Sequence, residues 1–493
     1  MPLPAEPNVT PVVSRPVDGP TTDAQPSRRI ARIRRTPRTR IAAAIVASFA
    51  GIALLTAGIV QTAGGLAGVA AASATPLSSG APVSSAMAEA SGAASPKAGS
   101  ASPAPSATVT PGPSAPVATP GDGSGGGPTA TALLEARLQA TLDGVRAKLA
   151  IPGASVTILF PDGSTWTGAS GFADIATRTP VVPTTAFAFA SMSKTFTSAL
   201  VIQLVSQGRL RLTDSAASLL PGLAKPIDRR ITIAMLLDHT SGLQDYFLNP
   251  KIDKPLQAQP TRPWTTDQAL AYVLKPYFPP GRGWHYSNTN YLLLGLIAER
   301  VTGQPLDVAI RSRLLDPSGL KEIWYQAKER PLAPLAHGYR LPGTKLTVRP
   351  VDLADGSGVA PFRSVVTAAA GAGSLAGTSS DLARWARLLY SGEVLGPDGT
   401  AVLLSGFSAT AAYHPSIVYG YGVQAVVVDG HASLGHSGRL LGFRGVVRHF
   451  PVDGLTIAVL TNQSRADPAV IVRALLPVAL PPPPVCPICA IAR

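Results

Sequence analysis

Cysteine is nearly absent from this chain. Its 493 residues contain two, Cys486 and Cys489, both in the C-terminal CPIC. A disulfide scaffold is therefore excluded, and with no second CxxC or HxxxH beyond it the pair does not read as a zinc site. Residues 479–493, a proline-rich tail, are expected not to fold alone. Charge is also scarce, at 14% of residues against a usual quarter or so. The net charge is nevertheless +14. Residues 1–40 hold eight arginines and three acids, and no basic run interleaved with aromatics follows, so nucleic acid is not expected as a partner. Neither HExxH nor GxSxG occurs, and the seven histidines show no metal-ligand spacing. GAGSLAG and GYGVQA fit a loose GxGxxA, but neither opens a strand–turn–helix unit near a suitable acid, so both read as turns. No metal or cofactor is expected.

Charge vanishes altogether between Ile41 and Ala88. Within that stretch IAAAIVASFAGIALLTAGIV, Ile41 to Val60, is long enough as a helix to span a bilayer core of about 30 Å. Seven arginines between Arg28 and Arg40 precede it and none follow closely. By the positive-inside rule residues 1–40 form a cytoplasmic tail and 41–62 an anchor, with the bulk of the chain outside. Ala72-Ser73-Ala74 offers a cleavage site, so a secreted form stays open. Residues 63–128 run into an Ala/Ser/Pro/Gly-rich segment with too little apolar bulk to offset its ordering entropy, a tether that is expected to be disordered.

From residue 129 the texture becomes globular. ATALLEARLQATLDGVRAKL places Leu133, Leu134, Leu138, Leu142 and Val145 at helical spacing. Two β-like runs follow around Pro161-Asp162-Gly163, and further strands lie in YGVQAVVVDG, HASLGHSG, FRGVVRHFPVDG and LTIAVLTNQ. The middle is helical and rich in proline. Strands at both ends with a helical insertion between them imply an α+β fold with one antiparallel sheet.

Chemistry concentrates in three places. In FASMSKTFTS, Ser191 lies three residues before Lys194, so the two share a helix face, whereas the adjacent Ser193 points elsewhere. A serine hydroxyl needs a base to take its proton, and a lysine serves only if burial lowers its pKa from about 10.4. Tyr286-Ser287-Asn288 precedes an apolar helix, offering a phenol for proton transfer and an amide for a lysine or a substrate carbonyl. His436-Ser437-Gly438 reads as part of a strand, where glycine permits close approach of a substrate backbone and the Arg439 amide can face an oxyanion.

Taken in order, S-x-x-K, Y-x-N and H-x-G resemble the serine β-lactamase and penicillin-binding family. The class C branch is nearest, with its D-Ala-D-Ala carboxypeptidases and esterases. LLDHTSGL (236–243), PGRGWHYSNTNYLLLG, GAGSLAGTSSDLARW (371–385) and YGYGVQ (419–424) share its order, and the resemblance covers the expected domain 129–478. It implies a β-lactamase/transpeptidase-like fold and an acyl-enzyme on Ser191. Lys194 would be the base, Tyr286 the proton carrier, and Asn288 the holder of substrate amide and lysine. His436 would assist Tyr286, the backbone amides of Ser191 and Arg439 would form the oxyanion hole, and Ser437, Gly438 and Arg439 would bind substrate. His436 stands where lysine is common, and Arg439 replaces a serine or threonine that helps hold a carboxylate. These departures point away from efficient β-lactam hydrolysis. The expected substrate is a small acyl compound or a peptidoglycan-type D-amino-acid peptide. A wall-peptide-binding protein without turnover is the alternative from another class, and oligomeric state is left open.

Overall fold

A computed structural model describes residues 129–223, 225–341, 349–410 and 416–480. The expected cytoplasmic tail, anchor and linker, and the CPIC segment 481–493, lie outside the described residues. Among the described residues, no helix is long and apolar enough to cross a membrane.

The two ends of the domain build one antiparallel sheet, as the strand pattern implies. Its long strands are β1 (Gly153–Leu159), β2 (Thr165–Asp174), β3 (Gln424–Val428), β4 (His431–Leu440), β5 (Phe443–Phe450) and β6 (Leu455–Thr461). They lie in the order β2-β1-β6-β5-β4-β3, with short edge strands Thr179–Pro180 beside β2 and Val418–Tyr419 then Ser408–Ala409 beyond β3. N- and C-terminal halves meet at β1 and β6, where Val156 opposes Val459.

Both faces of the sheet are covered. On one face α1 (Ala130–Lys148) and α5 (Ala469–Ala479) close a core of Leu138, Leu142, Val156, Ile457, Ile471 and Leu475. Leu133, on the same predicted stripe, is 51% exposed. Alternate residues of β1 face the other way, and two of them are polar. Ser155 and Thr157 lie 2.9 and 2.8 Å from Ser379 Oγ, at the start of α4 (Ser379–Ser391). The hydroxyls thus satisfy one another, as buried polar groups must.

The larger core lies between this second face and the helical middle, which contributes α2 (Lys194–Ser206), α3 (Asn288–Thr302) and several helices of four to eight residues. Phe196 of α2 stacks on Trp385 of α4 with centroids 4.0 Å apart, and Trp385 Nε1 donates to Thr195 Oγ1 at 2.9 Å. These contacts fix the N-terminus of α2 against the sheet and thereby the residues just before it.

Candidate active site

Ser191 and Lys194 straddle a change of helix type. Residues Ala190–Ser193 form a 3-10 turn that leads into α2 at Lys194, where the sequence suggested one continuous helix. The tighter turn still places residues three apart on one side, and Lys194 Nζ lies 3.1 Å from Ser191 Oγ. Ser193 Oγ points into the core and accepts the Leu375 amide at 3.1 Å. Ala190, immediately before Ser191, has φ +50°, a conformation that alanine adopts only under strain. The surroundings of Ser191 therefore hold its backbone where local preference would not.

Lys194 is fully buried. Its Nζ donates to Asn288 Oδ1 at 2.7 Å and to the Ala372 carbonyl at 2.8 Å. Burial pulls its pKa down to about 7, and the Asp245 charge opposes the drop. A neutral amine has two hydrogens and one lone pair. The two carbonyl acceptors engage the hydrogens, which leaves the lone pair facing Ser191 Oγ.

Asn288 owes its orientation to Asp245. Its Nδ2 donates to Asp245 Oδ2 at 2.8 Å, so its oxygen must face Lys194. Burial raises the pKa of Asp245, against amide hydrogen bonds from Phe247 and Asn288. Because the Asp245 charge holds the lysine pKa up, its removal must lower it. In Asp245→Asn the acid limb of the pH–rate profile is expected below pH 7, at lower pH than in the parent, with a reduced plateau from the disturbed Asn288. Steady-state rates between pH 5 and 9 check this.

Tyr286 flanks the lysine, whose Nζ lies 5.0 Å from the ring centroid. Behind Tyr286 sits His239, fully buried with φ +66°, its ring 4.4 Å from that of Tyr286 and 4.7 Å from that of Tyr419. His239 Nδ1 accepts from the Ser287 amide at 3.2 Å and pairs with Asn290 Nδ2 at 3.0 Å. That places its hydrogen on Nε2, and burial keeps the ring neutral.

Strand β4 forms the opposite wall. His436 is buried, its Nε2 3.0 Å from Tyr419 Oη and its Nδ1 2.6 Å from the Ser437 carbonyl. The carbonyl can only accept, so Nδ1 carries the hydrogen and Tyr419 donates to Nε2. Burial, aided by Lys194, lowers the pKa of His436 to about 3. It is a neutral ring at working pH, not a cation in a lysine's place. Gly438 is required by the chain itself, since a Cβ there would lie 2.2 Å from the Phe189 carbonyl. The close approach expected of substrate is made instead by the backbone just before Ser191. Arg439 extends its side chain into solvent.

The neighbour of β4 stops short. Pairing with β3 ends at Gln424 opposite Gly435, so beyond it β4 pairs only with β5. Gln424 Oε1 accepts the Ser437 amide at 3.0 Å, and its Nε2 donates to Ser437 Oγ at 3.2 Å. Strand geometry repeats every two residues, so the Arg439 N–H faces this same open edge. Gln424 is itself held by Arg448, whose guanidinium donates to the Gln424 carbonyl at 3.2 Å and to Oε1 at 3.0 Å.

The β-lactamase family profile matches residues 138–478. The chain belongs to the β-lactamase family. Penicillin-binding protein 4 of Amycolatopsis lactamdurans is 31% identical over 342 residues, covering 66% of this chain and 85% of the relative. Esterase EstB of Burkholderia gladioli is 29% identical over 369 residues, covering 68% and 93%. A D-stereospecific amidohydrolase from Streptomyces sp. shares the fold with a TM-score of 0.61 at 24% identity, covering 70% of this chain and 98% of that one. As a member of this β-lactamase family the protein is a serine hydrolase.

Within the β-lactamase-family domain, the structure gathers Lys194, Tyr286, Asn288 and His436 around Ser191, with Ser437, Gly438 and Arg439 on the adjoining strand β4. Sequence reasoning did not assign Asp245, His239, Tyr419, Gln424 or Arg448. Signals existed for most of them. His239 lies inside LLDHTSGL and Asp245 two residues after it, while Tyr419 and Gln424 bound YGYGVQ. Gly422 in that hairpin has φ +78°, and a Cβ on it would meet Ser198 Oγ at 2.1 Å, which seats the hairpin on α2. Arg448 carries no linear signal.

Proposed function

We propose that the protein hydrolyses D-amino-acid peptides of the D-Ala-D-Ala type through an acyl-enzyme on Ser191. The observation that carries this reading is buried Lys194, whose Nζ lies 3.1 Å from Ser191 Oγ while it is held by the Asn288 and Ala372 carbonyls. The lysine takes the hydroxyl proton as Ser191 Oγ attacks the carbonyl carbon. Backbone amides of Ser191 and Arg439 receive the oxyanion, each donor contributing about 3 kcal/mol to the transition state. Tyr286 relays that proton from Lys194 to the leaving amine, and water then attacks the acyl ester, giving one proton back to Ser191 Oγ as the acid is released. The open edge of β4 favours an extended peptide, which pairs with an exposed strand through its backbone.

The test is release of D-alanine from a peptide ending in D-Ala-D-Ala. The full chain is expected to release it, the Ser191→Ala form is not, and an L-Ala-L-Ala end should be a poor substrate. Hydrolysis of short acyl esters without D-alanine release would favour an esterase, and neither activity a binding protein. The apolar run 41–62 and the Ala/Ser/Pro/Gly-rich linker after it support a membrane-tethered, extracytoplasmic domain. Retention in carbonate-washed membranes, lost on deleting residues 1–62, is the expected sign of that anchor.

A further inference from the structure

An apolar hollow stands apart from Ser191, among the helices of the middle region. A cavity of about 430 Å³ lies under the helical middle, walled by Ile231, Leu243, Leu270, Val273, Phe278 and Leu293. This volume is in the range of small-molecule sites. Its outer wall, residues 274–285, is fastened to the 239–244 loop by four hydrogen bonds. These run from Leu274 N to Gln244 Oε1 (2.9 Å), Tyr277 N to Gly242 O (2.9 Å), Gly281 N to Thr240 O (2.9 Å) and His285 N to His239 O (3.2 Å). Pro276, Pro279 and Pro280 stiffen the same wall. The hollow is therefore held open by backbone that cannot readily collapse into it.

Its mouth has two characters. Leu274 and Tyr277, both lining residues, are 48% and 40% exposed and form an apolar lip. Around them stand Lys225, Arg230 and Lys275, against a single carboxylate, Asp228, already paired with Arg230 at 2.6 Å. An apolar interior with a cationic rim selects a ligand with a hydrocarbon tail and an anionic head.

We infer that this cavity binds a single-chain anionic amphiphile of the fatty-carboxylate class. Leu243 and the other lining residues take the tail, and Lys275, with Lys225, takes the head. Binding is independent of the proposed peptidase activity, so the readout does not use turnover.

The experiment is photolabelling of the full chain in lipid nanodiscs with dodecanoate bearing a diazirine at its tail end, mapped by mass spectrometry. Label is expected within residues 223–243 and 268–293, displaced by unlabelled dodecanoate and not by dodecanol or dodecyltrimethylammonium. Leu293→Trp, which fills the cavity, should remove that label. Lys275→Glu, at an exposed position that leaves the core intact, should reduce it at least fivefold. No competed label in these residues, or unchanged label in Lys275→Glu, would overturn the proposal. Equal displacement by the neutral or cationic chain would overturn its anionic class.

Discussion

Replacing Ser191 by alanine is expected to abolish turnover and covalent labelling together, lowering the rate by roughly 10³-fold or more as for nucleophile loss in other serine hydrolases. The neighbouring serine provides the internal control. Ser193 Oγ accepts the Leu375 amide in the core, so Ser193→Ala strands a buried donor and costs about 1–3 kcal/mol of stability. It should leave labelling of the folded protein intact. Two serines two residues apart therefore separate into one that governs chemistry and one that governs stability, read by intact mass and by denaturant unfolding. Labelling in Ser191→Ala would move the nucleophile elsewhere.

Gly438→Ala is expected to do nearly as much damage from the other side of the cleft. The added Cβ would meet the Phe189 carbonyl at 2.2 Å and Ala190 Cβ at 3.2 Å, and neither is a flexible side-chain end. Either β4 or the Phe189–Ser191 backbone must shift. A displacement of about 1 Å at reacting groups costs on the order of 10² in rate, and overpacking costs roughly 1–3 kcal/mol in stability. The contrast is Gly144, inside α1, where an added Cβ would meet nothing within 4 Å. Gly144→Ala should stabilise by about 1 kcal/mol through helix propensity and leave kcat/KM unchanged. Kinetics and unfolding of both variants check the pair.

What was legible in the sequence divides along physical lines. The strands of the C-terminal half could be read because glycine-bearing turns bound their apolar runs, and their return to β1 followed from the helical middle between them. Ser191 was separable from Ser193 because spacing of three survives even in the tighter 3-10 turn. Asp245 was not legible as a site residue. Its part depends on lying beside Asn288, 43 positions away, and nothing local says that an acid will be buried there. Arg448 is the same case: it reaches Gln424 across Gly435, a row that exists only once three strands are in register. His436 was legible in place but not in charge, since neutrality comes from burial and from Tyr419. Gly438 was assigned to substrate approach, whereas the chain's own Phe189 carbonyl occupies that space.

The central claim is that a neutral Lys194 activates Ser191. Its most direct test is the rate at which a fluorophosphonate labels Ser191 of the full chain between pH 5 and 9, followed by intact mass with Ser191→Ala as blank. A rate that rises through a midpoint near pH 7, the value to which burial brings the lysine, and is lost in Lys194→Met is the expected result. A rate independent of pH across that range, or one that rises only toward the pKa of a free lysine near 10.4, would contradict it.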